Sequence, residues 1–68
     1  MIAVGQTVWW KWINGFAEGV VTDIRPERTQ IESKGKLITR NGSADNPALI
    51  IKHANGSMIL KLLSEVKT

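Results

Sequence analysis

The chain has no cysteine and no tyrosine, one histidine, one phenylalanine and two prolines in 68 residues. Without cysteine there is no disulfide, no thiolate metal ligand and no thiol nucleophile. One histidine falls short of the three or four ligands a transition-metal site needs, so no metal or other cofactor is expected. Without tyrosine, an aromatic cage for a methylated ammonium has few walls to draw on. No apolar run approaches the ~18 residues of a membrane span. The opening "MIAV" is too short for the h-region of a signal peptide. A soluble chain in a reducing, cytoplasmic setting, with no membrane partner, is the expectation. Helix signals are missing too: no useful stretch repeats its apolar residues at i, i+3, i+4, i+7, and glycines recur at 5, 15, 19, 35, 42 and 56.

What is present is concentrated. All three tryptophans stand in "TVWWKW", Trp9, Trp10 and Trp12. On a strand Val8, Trp10 and Trp12 share one face, while Thr7, Trp9 and Lys11 share the other. Length allows one domain, residues 1–68. A chain of this size buries only roughly 60% of its unfolded surface, so it needs its large side chains in the core or a partner chain.

Short β-rich runs separated by turn residues account for the rest. The first strand spans Thr7 to Trp12 and ends at Asn14-Gly15, suited to a tight turn with positive φ. A longer strand, about Ala17 to Arg25, is stopped by Pro26, and Gly19 inside it predicts a bulge or a close backbone approach. Two arms, Thr29 to Ser33 and Lys36 to Arg40, are joined through Gly35. After the turn-rich loop "NGSADNPA", the strands "LIIKH" and "SMILKL" flank Asn55-Gly56, the strongest hairpin signal in the chain. The tail "LLSEVKT" predicts one helical turn or a short closing strand. The fold class is all-β, a small, closed or nearly closed five-stranded barrel of SH3 type, in which closure removes exposed edges.

The frame "GQTVWWKW…GFAEGVVTDI", then "GKLITRNGSADNPALII", then "GSMILKLLSEV" resembles the hypervirulence-associated Tudor-like domain, a family of unknown function found mostly in small bacterial proteins. The resemblance runs from about Gly5 to Val66. Its most specific pieces are Gly5 with Val8 and Trp10, Gly19 with Val21, the "RNGSADNPA" loop and the terminal "LKLLSEV". It implies an SH3/Tudor-type barrel acting as a binding module, with a core at Val8, Trp10, Val21, Leu49, Ile51, Leu60 and Leu63. It carries no catalytic residues to transfer. An aromatic often stands in the family where this chain has Leu49.

Three constellations are candidates for contact. If Leu49, Ile51, Met58 and Leu60 point inward, then Trp9, Ile50 and Ile59 form one outer apolar patch, the mark of a protein-contact surface; a parity shift would bury some of them instead. Trp12 and Phe16 flank the first turn and are the possible aromatic pocket, with the pinning of a hairpin as the plainer role. Arg25, Arg28, Lys34, Lys36 and Arg40, opposed only by Glu27 and Glu32, carry the whole formal charge of +3. They are the possible nucleic-acid contacts, against the plainer reading of a solvated hairpin. Ser43, Asp45 and His53 lack the spacing of a nucleophile with an oriented base; the first two suit a turn, and His53 is expected to be exposed. Arg40 is expected to pair with Asp45 or Glu65. The reading is therefore a non-enzymatic binding module using the patch around Trp9, with an unidentified protein or a second copy of the chain as partner. The alternative is a nucleic-acid-binding barrel using the basic segment 25–40.

Overall fold

The computed structural model describes residues 2–68. They form six strands: β1 (Thr7–Trp12), β2 (Gly15–Arg25), β3 (Arg28–Ser33), β4 (Lys36–Asn41), β5 (Ala48–His53) and β6 (Met58–Leu62), followed by a 3-10 turn, Leu63–Glu65. The chain is all-β, as its alternating runs predict. The strands lie in two sheets that are not closed into a barrel, so the expected five-stranded closure is not shown: a four-stranded antiparallel sheet in the order β1-β2-β5-β6, and the separate hairpin β3-β4. That hairpin packs on β6 and is tied to it by the Ser33 hydroxyl, which donates to the Met58 carbonyl at 2.9 Å.

Turn chemistry sets the registers. Trp12 pairs with Gly15, so the first turn is made by Ile13 and Asn14, and Gly15 already belongs to β2. The positive φ expected of Asn14-Gly15 falls instead on Ile13, at 38°. This two-residue displacement leaves side-chain parity intact, so Val8 and Trp10 turn inward and Trp9 outward, as alternation requires. Lys34 and Gly35, at φ 53° and 77°, join β3 to β4 in a turn with both central residues left-handed, the geometry that matches strand twist.

At the Asn55-Gly56 turn the sequence signal is right and the register is not. A two-residue turn would set Ile51 opposite Leu60. The observed turn closes with the His53 N–H donating to the Ser57 carbonyl and the Gly56 N–H donating to His53, with Gly56 at φ 90°. Ile51 therefore pairs with Ile59. A one-residue slip moves every side chain of β6 to the other face.

The core consists of Val8, Trp10, Val21, Ala48, Leu49, Ile51 and Leu60, with Ile24, Ile59 and Leu63 packed partly buried against it. Six of the seven core residues expected from the sequence are buried, and the seventh, Leu63, sits on the core's margin. Each fully buried aliphatic side chain contributes about 1.5–3 kcal/mol. The irregularity in β2 lies at Thr22, between Val21 and Asp23, and not at Gly19. Gly19 is instead a point of close approach: a Cβ there would lie 2.5 Å from Ile51 Cγ2 and 2.8 Å from the Lys52 carbonyl oxygen.

Candidate binding site

Cross-strand partners share a face, so the registers sort the aromatic residues. Trp10 pairs with Ala17 and Trp12 with Gly15, and both indoles lie on the inner face of the four-stranded sheet with His53 and Ile59. The Trp10 and His53 rings meet edge to face, centroids 6.1 Å apart. His53 is half-buried, not exposed as expected, because this contact covers it. Its Nδ1 accepts a hydrogen bond from the Asn55 N–H at 3.2 Å, which puts the proton of the neutral ring on Nε2.

These residues line one side of a trough of about 370 Å³ between the sheet and the β3-β4 hairpin. Trp10 is its buried floor, and Trp12, 61% exposed, stands at its mouth. Lys34, Arg40 and Lys61 also line it, and no aspartate or glutamate does. Arg40 donates from Nε to Glu65 Oε1 at 2.9 Å, so part of its charge is compensated from behind. Neither Lys34 nor Lys61 forms an ion pair among the described residues.

Glu65 does more than pair with Arg40. Burial pushes its carboxyl upward, but the Leu62 N–H donating to Oε1 at 2.8 Å, the Arg40 guanidinium and the Lys61 charge outweigh that. The net effect holds Glu65 below its ordinary value of 4.5. Beside it, Asn46 clamps Ser64 from both ends: its Oδ1 accepts from the Ser64 N–H at 2.9 Å, and its Nδ2 donates to the Ser64 hydroxyl at 3.0 Å. The loop after β4 and the terminal turn thus brace the wall that carries Arg40.

The outer face differs from its expected composition. Trp9 is 40% exposed and Phe16 60%, and they line a shallow depression with Lys67, whose ammonium lies 5.0 Å from the Phe16 ring centroid. Lys67 reaches this place because its backbone bridges to Trp9: the Trp9 N–H donates to the Lys67 carbonyl at 2.8 Å, and the Lys67 N–H returns one to Trp9. Ile59 is not here; the shifted register of β6 turns it onto the core. Ile50 is half-buried opposite Asp23 and Leu60, two strands from Trp9. Trp12 and Phe16 belong to successive cross-strand pairs and so face opposite ways, which separates the two walls of the expected aromatic pocket.

The five basic residues also divide. Lys34 and Arg40 line the trough; Lys36 follows Gly35 at the hairpin tip; Arg28 begins β3 at the far end, paired with Asn41. Arg25 is held by Asp23, and the hydrogen bond from its guanidinium lowers the Asp23 carboxyl below its ordinary value. Sequence reasoning missed Lys61, His53 and Asn55 as lining residues, since they come from separate strands and turns and carry no local motif. Ser43 and Asp45 stay in their turn, where the Ser43 hydroxyl accepts from the Asn46 N–H, and His53 lies across the sheet. Among the described residues no group of three His, Asp or Glu side chains is placed to hold a metal ion, and no helix is long and apolar enough to cross a membrane.

The model of the hypervirulence associated proteins Tudor domain matches residues 5–66, nearly the whole chain. No curated protein and no solved structure matches it.

Proposed function

From the premise that the chain belongs to the hypervirulence-associated Tudor-domain family, we propose that it is a non-catalytic binding module whose ligand enters the trough beside Trp12 and is anionic. The observation that carries this reading is the lining itself: an aromatic floor and mouth, three cationic side chains and no carboxylate. A site for a methylated ammonium needs the reverse, several aromatic walls and a negative or neutral rim. Here a cationic ligand meets Lys34, Arg40 and Lys61, and like charges brought together cost affinity and select against it.

Tryptophan fluorescence of the protein titrated at low salt with short acidic and short basic peptides of equal length tests the charge preference. The acidic series changes the emission and the basic series does not. A trimethyl-lysine peptide that binds while the acidic series fails contradicts the reading.

The outer face supports a second reading, self-association. Trp9, Phe16 and Val20 are exposed apolar side chains on one side of the sheet, and such clusters mark contact surfaces. Light scattering that shows a dimer in the wild type and a monomer in Trp9→Ala supports it; a wild-type monomer at high concentration removes it.

A further inference from the structure

Trp12 is the largest exposed apolar side chain of the trough, and burial gives no reason for it to be there. Substituting for it removes little core, since its indole is 61% exposed. What it offers is a flat π surface at the edge of a cationic trough. Aspartate and glutamate side chains supply charge but no aromatic face to cover an indole. Nucleobases supply the flat face, and the phosphates joining them supply the charge at each step.

Resting on the reading of the trough as an anion site, we propose that its ligand is single-stranded nucleic acid, with a base stacked on Trp12 and phosphates met by Lys34 and Lys61. Two features narrow the ligand to unpaired strands. A base can enter a recess of about 370 Å³ only when it is free of its own stack and partner. Asn55 and Ser57 line the same recess, and the Asn55 Nδ2 has no hydrogen-bond partner among the described residues, its Oδ1 being occupied by the Ser57 N–H. That leaves an amide donor for the edge of an unpaired base, an edge that pairing hides in a duplex. Arg40 is a lesser contributor because Glu65 already engages it.

The experiment is fluorescence anisotropy of the full chain with a labelled short oligothymidylate, its duplex with oligoadenylate, and a labelled acidic peptide, over a range of salt. The single strand binds best, and log affinity falls against log salt with a slope of about −1.4 for two neutralised phosphates at ~0.7 each. Trp12→Ala weakens binding about five- to hundredfold, as expected for one stacked base, while Trp12→Phe, which keeps a stacking face, recovers much of it. Lys34→Glu with Lys61→Glu abolishes the salt dependence along with most of the affinity. Trp9→Ala on the opposite face leaves binding unchanged, and circular dichroism verifies that each variant is folded. The proposal is overturned if the single strand is not retained at the lowest salt, if the duplex binds more tightly, or if Trp12→Ala is without effect. Should the acidic peptide bind while the oligonucleotide does not, this inference falls and the anion-binding trough stands. Binding of neither removes both.

Discussion

At the scale of single residues, the backbone records where the sequence and the fold disagree. Ile13 is a β-branched residue at φ 38° and is 78% exposed. The left-handed region costs an L-residue roughly 1–2 kcal/mol, and asparagine tolerates it far better than isoleucine. Ile13→Asn is therefore expected to stabilise the protein by about 1 kcal/mol, read as a higher urea midpoint at unchanged m-value. Gly42 lies at the opposite extreme. A Cβ there would sit 2.5 Å from the Arg25 carbonyl oxygen and 2.7 Å from both the Ala48 nitrogen and the Glu27 carbonyl oxygen. All three are backbone atoms that cannot swing aside, so Gly42→Ala costs about 3 kcal/mol. Leu49, fully buried, costs a similar amount on truncation to alanine. A domain of this size holds only about 3–10 kcal/mol in total, so either of the last two variants shows a sharply lowered melting temperature. The core was legible in the sequence because burial follows alternation. The strain at Ile13 was not, because Asn14-Gly15 is a stronger local turn signal than the pair the chain uses.

At the scale of elements, register decided what could be read in advance. The first hairpin slipped by two residues relative to its turn signal and kept its faces. The last slipped by one and exchanged them, which took Ile59 from the expected outer patch to the core. Alternation alone cannot see this, since the difference lies in one left-handed glycine, Gly56. Two of the most specific pieces of the family frame, "RNGSADNPA" and the terminal "LKLLSEV", meet in the structure through Asn46 with Ser64 and Arg40 with Glu65. Their pairing braces the trough wall, a role for Glu65 that the sequence offered only as one of two partners for Arg40. Since the Glu65 carboxyl is lowered in the folded chain, the folded state favours its ionised form. That contribution is present above the unfolded value, near 4.5, and is lost as pH falls through the lower folded one. Glu65→Gln is expected to lower stability by about 1 kcal/mol at neutral pH, a figure kept small by its partial exposure. The gap between the melting curves of wild type and variant narrows below about pH 4.5. A gap that widens on acidification contradicts this role.

At the scale of the whole molecule, two sheets that do not close leave a trough, and its lining has one sign of charge. The basic segment was legible as a charge surplus, but as a linear stretch it was the wrong unit. Arg25 is spent on Asp23, Arg28 starts β3 at the far end, and the cation that completes the trough, Lys61, comes from β6. The tryptophan cluster divides in the same way, with Trp10 in the floor, Trp12 at the mouth and Trp9 on the opposite face. Backbone amide shifts of the labelled full chain, followed by NMR during titration with short oligothymidylate, test the central claim most directly. The account predicts shifts that cluster at Trp12, Lys34, His53, Asn55 and Lys61, with Trp9, Phe16 and Lys67 unmoved. Shifts centred on Trp9, Phe16 and Lys67, with the trough silent, contradict it.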